Sequence, residues 1–399
     1  MDTELLQQDT EEKIEPVQIV TVAAKIPLFK GVDAANAIEL IQLKEFGYEI
    51  VAQKDLYQIG DKAVYIFPDF CASEMPIFKE FIEPGGDPKK CRLGSNRRIR
   101  AIKFNLSRDP NIVEPTYSQG ILLPYSEVQE EISVANLYNV NLTQELKIVK
   151  WEEPDEKGGG ANMGGSSQSF PEWMYKTDEE NINNLWGKIQ YPITLIGTMK
   201  TDGSSITLFC RNGKYGICSR KQLKPMQYNK VVGRKQTNFF HKILRFFKIT
   251  TDLNIYQLVD SDSEFVRIGK PYLDKMMLYT HKNNFNLILR GELNGKGLKG
   301  SGNKNNPSVK NEPNIKFFGA DIYDMRTIKL EEEKFDNIIK DLEFERCPVI
   351  FNEEFNSKEE LLQKCNDHFK GNMIEGIVVR TPDTKFSAKV MNLEYDSKK

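Results

Sequence analysis

The sequence has little of what metal centres and cross-links are built from. Its six cysteines, Cys71, Cys91, Cys210, Cys218, Cys347 and Cys365, contain no Cys-x-x-Cys spacing, and His241, His281 and His368 are scattered. That argues against a zinc framework or a disulfide scaffold and points to a reducing, intracellular compartment. Long hydrophobic runs are absent too. No stretch approaches the roughly 18 apolar residues of a membrane span. Residues 1–16 are acidic and polar, unlike a signal peptide, so a soluble protein with no membrane partner is expected. The net charge of -2 conceals one more absence. From Gly203 to Thr251 there is no Asp or Glu, while Arg211, Lys214, Arg220, Lys221, Lys224, Lys230 and Arg234 recur among aromatic residues. Such a span can follow a phosphate backbone and stack bases. Within it, His241 to Phe247 reads first as an amphipathic helix that buries its Phe and Leu side chains. A second basic loop runs from Lys296 to Lys310.

What is present describes a globular protein. The 399 residues, 39% hydrophobic and 28% charged, allow two or three domains. Short β-rich segments fill the first third: 18–22, 48–52, 63–67, 98–102 and 120–123. Five short strands separated by turns suggest a small barrel, with an OB-fold as the expected form. Ala34 to Leu43 reads as a helix between the first two. Residues 157–169 are Gly/Ser/Asn/Gln-rich and read as a linker; with no strand leading in and no Gly-Lys-Ser/Thr closing it, this is not a phosphate loop. The expected division is a flexible segment at 1–16, a barrel domain at 17–150, a linker at 151–170 and a second domain at 171–399.

The second domain carries the chemistry. Lys200-Thr201-Asp202-Gly203 ends an apolar, strand-like run, and Asp-Gly marks a turn after it. Asn212-Gly213 is a hairpin signal between the next two runs. Lys200 therefore leaves a strand at the rim of a sheet, where burial or cationic neighbours would lower its pKa and make it a nucleophile. Downstream, Glu292 ends the apolar strand Leu289-Arg290-Gly291-Glu292. Phe317 and Phe318 lie in an aromatic strand, and either can be base platform or core. Glu375 precedes a β-branched run through Arg380, and Lys389 sits in a last strand-like segment.

Taken in order, these segments resemble motifs I, III, IIIa, IV and V of the covalent nucleotidyltransferases, with Ser219-Arg220 at the place of motif Ia. The barrel comes first, and only about ten residues follow Lys389. That layout resembles the ATP-dependent RNA ligases of the Naegleria and Deinococcus type. The segments Tyr57 to Ile66, Arg97 to Lys103 and Lys176-Thr177-Asp178-Glu179 resemble the same family. Three positions depart from the pattern: Met199 stands before the lysine, Met391 takes the second motif V place, and Asn181 stands where an arginine is common.

The resemblance implies an α+β protein, an N-terminal OB-fold followed by a nucleotidyltransferase domain of ATP-grasp-like antiparallel sheets with helices. It implies ATP and Mg²⁺ or Mn²⁺ as cofactors, a monomer, and RNA with 3′-OH and 5′-phosphate ends as partner. Lys200 would be the AMP-accepting nucleophile and Lys389 the α-phosphate contact. Arg220, Glu292, Phe317, Phe318 and Lys389 would bind nucleotide. Asp202, Glu292 and Glu375 would hold metal through water. In the barrel, Arg97, Arg98, Arg100 and Lys103, in a stretch with few acids beside it in sequence, are candidate RNA contacts. A DNA ligase, a GTP-dependent capping enzyme, or a non-catalytic nucleic-acid-binding protein with a ligase fold remain alternatives.

Overall fold

Strand β1 (Val17–Lys30) organises the first unit because it is long enough to pair twice. Its first half lies antiparallel to β4 (Lys62–Ile66), from Val17 opposite Ile66 to Thr21 opposite Lys62. Its second half pairs with β2 (Asp33–Leu43), with register shifts at Val22/Ala24 and Pro27/Phe29 that bend the strand from one partner to the other. β2 continues to β3 (Glu49–Gln53), and β4 to β5 (Ile121–Pro124). The curled sheet closes where Gln119 N–H donates to Glu49 O (2.9 Å) and Val51 N–H to Ser118 Oγ (3.0 Å). Val20, Val22, Ile41, Tyr48, Ile50, Tyr65 and Leu122 fill the barrel.

Residues 34–43 are therefore strand, not helix. Their alanines favour a helix locally, but partners on both sides of β2 supply hydrogen bonds that no solvated helix face would offset. In the expected strand 98–102 only Ile102 is strand, at the start of Ile102–Phe104; Ile99 and Ala101 are buried in irregular chain.

The computed structural model describes residues 14–151, 168–175, 179–234, 254–298, 306–324 and 326–397. The acidic segment 1–13, most of the linker (152–167), Lys176 to Asp178, the helix expected at 241–247 and the middle of the second basic loop (299–305) lie outside the described residues. The chain forms two compact units. The first joins the residues up to Trp151 with Glu180–Gln190 and the residues from Leu393 on; the second spans residues up to Glu179 and Tyr191–Asn392. The late segment is tied to the first unit by specific contacts: Ala101 N–H donates to Asp396 Oδ2 (3.3 Å), and Lys103 pairs with Glu394 (3.8 Å).

In the second unit a seven-stranded sheet runs in the spatial order β6 (Gln168–Ser169), β10 (Gln222–Lys224), β9 (Lys214–Ser219), β8 (Ser204–Arg211), β11 (Leu287–Asn294), β12 (Asn314–Asp324), β13 (Arg326–Lys329). Asn212 and Gly213 both have positive φ, 49° and 74°, as the two-residue β8–β9 hairpin requires. Helices α1 (Glu264–Asn283) and α2 (Glu332–Leu342) cover one face, burying Ile206, Leu208, Leu273, Met276, Leu289 and Phe335. A four-stranded antiparallel sheet has the order β14 (Val349–Phe355), β7 (Ile193–Lys200), β15 (Gly376–Arg380), β16 (Ser387–Met391). Helix α3 (Lys358–Phe369) buries Leu361 and Cys365.

Candidate active site

Two glycines bring the charged residues together. Lys200 ends β7 opposite Gly376 of β15. A Cβ at Gly376 would lie 2.4 Å from Val390 O, so only glycine lets β15 close on β16 at the point where Glu375 enters the strand. After Lys200 the chain turns through Thr201 and Asp202 and crosses β11 at Gly203. A Cβ there would meet Leu293 O at 2.4 Å and Glu292 Cγ at 3.1 Å. The Asp-Gly of the motif is thus a close backbone crossing, and it sets Glu292 beside Lys200. Asn306 Nδ2 donates to Asp202 O (2.7 Å) and steadies the turn.

Lys200 Nζ makes a short hydrogen-bonded ion pair with Glu375 Oε2, whose side chain is only 8% exposed. Burial pulls the lysine pKa down, but the charges of Glu375, Glu292 and Asp202 outweigh it, and the net shift is upward. The expectation of a lowered pKa is therefore corrected. The neighbours are acids, not cations, and they hold Lys200 as an ammonium. Glu292 moves the same way for a different reason. Burial, together with the negative charges of Glu375 and Asp202, pushes its carboxyl up to about 8 against the pull of Lys200 and Arg220. Arg220, exposed just after β9, thus acts on the same site. Cys347, given no site role from the sequence, is buried beside Thr201. Its Sγ lies 3.6 Å from Thr201 Oγ1, and burial raises its thiol to about 11.

Lys389 lies on β16 opposite Val378, which in turn pairs with Thr198, two residues before Lys200. Cross-strand partners and i, i+2 neighbours share a face, so Lys389 stands on the same side of the sheet as Lys200, about 10 Å across two strand spacings.

The two phenylalanines separate. Phe317 is fully buried and stacks on Phe344 (ring centroids 5.1 Å, planes 17° apart), so it belongs to the core under α1. Phe318 is half-buried, with the Arg380 guanidinium 5.9 Å from its ring. Of the pair, Phe318 is the one open to a ligand.

Among the described residues no three His, Cys, Asp or Glu side chains close into a direct metal-ligand set. Asp202, Glu292 and Glu375 instead surround an ammonium, and the raised pKa of Glu292 comes first from its burial and then from the negative charge of the other two. An all-oxygen acidic donor set suits a hard divalent cation held through its waters.

The basic stretches are less free than the sequence suggests. Arg97 pairs with Glu74 (2.7 Å), Arg98 makes a short pair with Asp69 and lies 4.1 Å from the Trp151 ring, and Lys103 faces Glu394. The barrel cluster is not acid-poor in three dimensions, because Asp69, Glu74 and Glu394 come from distant sequence. In the second unit Arg211 sits over Tyr323 (3.7 Å) and Trp173 (4.5 Å) and packs the sheet edge.

Sequence reasoning also passed over Arg290, Arg380 and Glu179. Arg290 (Nε to Asp321 Oδ2, 2.7 Å) and Arg380 (Nη2 to Glu179 Oε1, 2.9 Å) are both about 4% exposed. Their signal was a charge inside an apolar strand next to a motif glutamate.

The model of the RNA ligase family matches residues 193–391. The fold is similar over both units to solved structures of Naegleria gruberi RNA ligase. One, with AMP and Mn, is 23% identical with a TM-score of 0.66, covering 96% of this chain and 99% of that one. Another, a variant with ATP and Mn, is 22% identical with a TM-score of 0.67, covering 96% and 100%. A third, with PPi, is 22% identical with a TM-score of 0.63, covering 96% and 98%. Among curated proteins none matches. No helix among the described residues is long and apolar enough to cross a membrane. The residue set around Lys200 falls wholly within the matched region, and residues 193–391 are an RNA ligase family domain.

Proposed function

We propose that the protein joins RNA 3′-OH and 5′-phosphate ends with ATP, through a lysyl-AMP at Lys200. The observation that carries this reading is a lysine at a strand end, paired with Glu375, acted on by Glu292 and Asp202, with Lys389 on the same face, all inside an RNA ligase family domain. In the first step Lys200 Nζ loses its proton, for which Glu375 Oε2 is the adjacent acceptor. The freed lone pair attacks the α-phosphorus of ATP; the P–N bond forms, the α–β P–O bond breaks, and pyrophosphate leaves. In the second step an oxygen of the RNA 5′-phosphate attacks the AMP phosphorus and Lys200 departs, recovering its proton. In the third step the RNA 3′-OH attacks the activated 5′-phosphate, loses its proton and expels AMP.

Catalysis of this kind rests on positioning and on neutralising phosphate charge. Lys389 brings a cation to the α-phosphate, and Arg220 brings one to the rim near Glu292. Asp202, Glu292 and Glu375 are the residues that would hold a divalent cation. Such an ion supplies charge neutralisation at the phosphate oxygens and offsets the acidity that keeps Lys200 protonated. The half-buried ring of Phe318 offers the base a platform.

The test is label transfer. Incubation with α-labelled ATP or GTP and Mg²⁺ or Mn²⁺, followed by denaturing electrophoresis, should give a covalent adduct with ATP. Lys200→Ala should give none, yet still seal RNA that already carries a 5′ AMP cap, at least weakly. An adduct of wild-type intensity in Lys200→Ala would sink the assignment. A GTP-only adduct would favour a capping activity instead.

A further inference from the structure

The second unit holds another polar cluster, which the reaction above does not use. Along β11, Arg290 and Glu292 are i and i+2 and share a face. Along β15, Arg380 pairs with Ile196 and so shares a face with Thr198 and Lys200. Arg290 thus lies about 7 Å from Glu292 along its strand, and Arg380 about 13 Å from the Lys200 position along its sheet.

Here the packing leaves something undone. Arg290 is buried and its Nε donates to Asp321 Oδ2. Asp321 is braced in turn by the Tyr175 hydroxyl (3.2 Å). Arg290 Nη2, however, is buried and finds no hydrogen-bond partner among the described residues. A buried donor without an acceptor is costly and uncommon. Arg290 lines a cavity that it shares with Phe318, Arg380, Glu179, Lys329 and Thr384. The neighbouring groups do not compete for it. Glu179 accepts from Arg380 (2.9 Å) and from the Ser387 hydroxyl, so its carboxylate is engaged. The enclosed space is about 10 Å³. That admits one atom-sized group and not a ring. The space beside Arg290 therefore suits a single acceptor atom, such as the edge atom of a flat ligand lying against Phe318.

We propose that Arg290 is a base-reading residue, its Nη2 donating to one ring nitrogen of the adenine of ATP while the base lies on Phe318. Asp321 and Tyr175 are positioning residues that hold the guanidinium in place. The assignment rests on the ligase reading, and it adds a specificity element to it. A site built to donate to a ring nitrogen rejects an analogue that lacks the nitrogen, because its own donor is left buried and unpaired.

The experiment is a nucleotide panel of ATP and its 1-deaza, 3-deaza and 7-deaza analogues, read as KM and rate for adduct formation with the full chain. Two variants accompany the wild type. Arg290→Lys keeps a cation against Asp321, and Arg290→Met combined with Asp321→Asn removes both charges, so neither leaves a buried charge unpaired. In the wild type one deaza analogue should raise KM about 10- to 100-fold with the maximal rate changed far less. In either folded variant the KM for ATP should rise by a similar factor, and that same analogue should bring no further rise. Three analogues that all behave like ATP in the wild type would overturn the proposal. So would an analogue penalty that persists undiminished in a folded variant, which would leave Arg290 serving a buried water only. Absence of any adduct between wild-type protein and ATP is a different result and overturns the ligase reading itself.

Discussion

Glu292→Gln should make the protein more stable in mild alkali while stopping its chemistry. The carboxyl of Glu292 lies at about 8 in the folded protein against an ordinary 4.5, first because it is buried and then because Glu375 and Asp202 repel its charge. A folded pKa above the unfolded one means that the folded state holds the proton more tightly. The carboxyl is therefore neutral in both states below pH 4.5, becomes a growing cost to folding as pH rises from 4.5 to 8, and costs the full amount above 8. A displacement from 4.5 to about 8 corresponds to about 5 kcal/mol at 1.36 kcal/mol per pH unit. That figure is a ceiling. The partly exposed side chain is screened by water and salt, which leaves about 2–3 kcal/mol. For a unit of this size that is a rise of about 4–12 °C in Tm.

The assay is thermal unfolding of wild type and Glu292→Gln between pH 4.5 and 9, without divalent cation. The two should melt together at the acid end and diverge through pH 6–8, the variant higher. Excess Mg²⁺ should close part of the gap by stabilising the wild type, since an ion held by the carboxylates binds only the folded state. Adduct formation by the variant should fall by orders of magnitude in mild alkali, where the wild-type carboxyl is ionised, and the two should converge toward acid pH. A Tm difference that is the same at pH 5 and pH 9, or a variant that melts lower in alkali, would refute the reasoning.

Three further outcomes follow from the packing. Phe317→Ala empties the core against Phe344 and Tyr272 and should cost about 3–5 kcal/mol in a denaturant titration. Phe318→Ala should cost far less and instead raise the KM for ATP; the reverse pattern would exchange their roles. Gly203→Ala drives a Cβ into Leu293 O and should cost about 1–3 kcal/mol while slowing adduct formation, measured by melting and label transfer on the same preparation. Arg98→Ala strips a partner from Asp69 and from the Trp151 ring, so it should lower Tm, leaving the KM for RNA in sealing within about threefold of wild type. A large KM rise at unchanged Tm would restore the barrel cluster as an RNA contact.

What the sequence showed depended on how local the cause was. The β8–β9 hairpin was legible because Asn212-Gly213 needs nothing beyond its own backbone. The strand at 33–43 was not, since its stability comes from β1 and β3 rather than from its alanines. Phe317 and Phe318 could not be told apart because the β11–β12 register slips between Arg290 and Gly291, so strict alternation fails at the residue in question. Arg290 and Arg380 were visible as charges in apolar strands, but their partners lie 31 and 201 residues away. The return of residues from Leu393 on to the first unit has the same origin, because Asp396 meets Ala101 across 295 residues.

The largest departure concerns Lys200, and it changes what must be explained. A motif lysine invites the expectation of an amine made reactive in advance by a depressed pKa. The structure supplies three carboxylates, a field that favours the ammonium. On the proposed function the resting protein therefore guards its nucleophile. Glu375 holds it in place and is also the nearest group that can take its proton, while Glu292 near pH 8 is poised to lose or keep a charge in the working range. Positive charge brought in with the nucleotide, together with Lys389, reverses the balance of that field at the moment when the α-phosphorus arrives. On this account the rate of adduct formation should climb with pH through the range in which Glu292 ionises, and the climb should move to lower pH as the concentration of divalent cation is raised. A depressed lysine working alone would give a profile indifferent to the cation, and measuring adduct formation against pH at two Mg²⁺ concentrations separates the two.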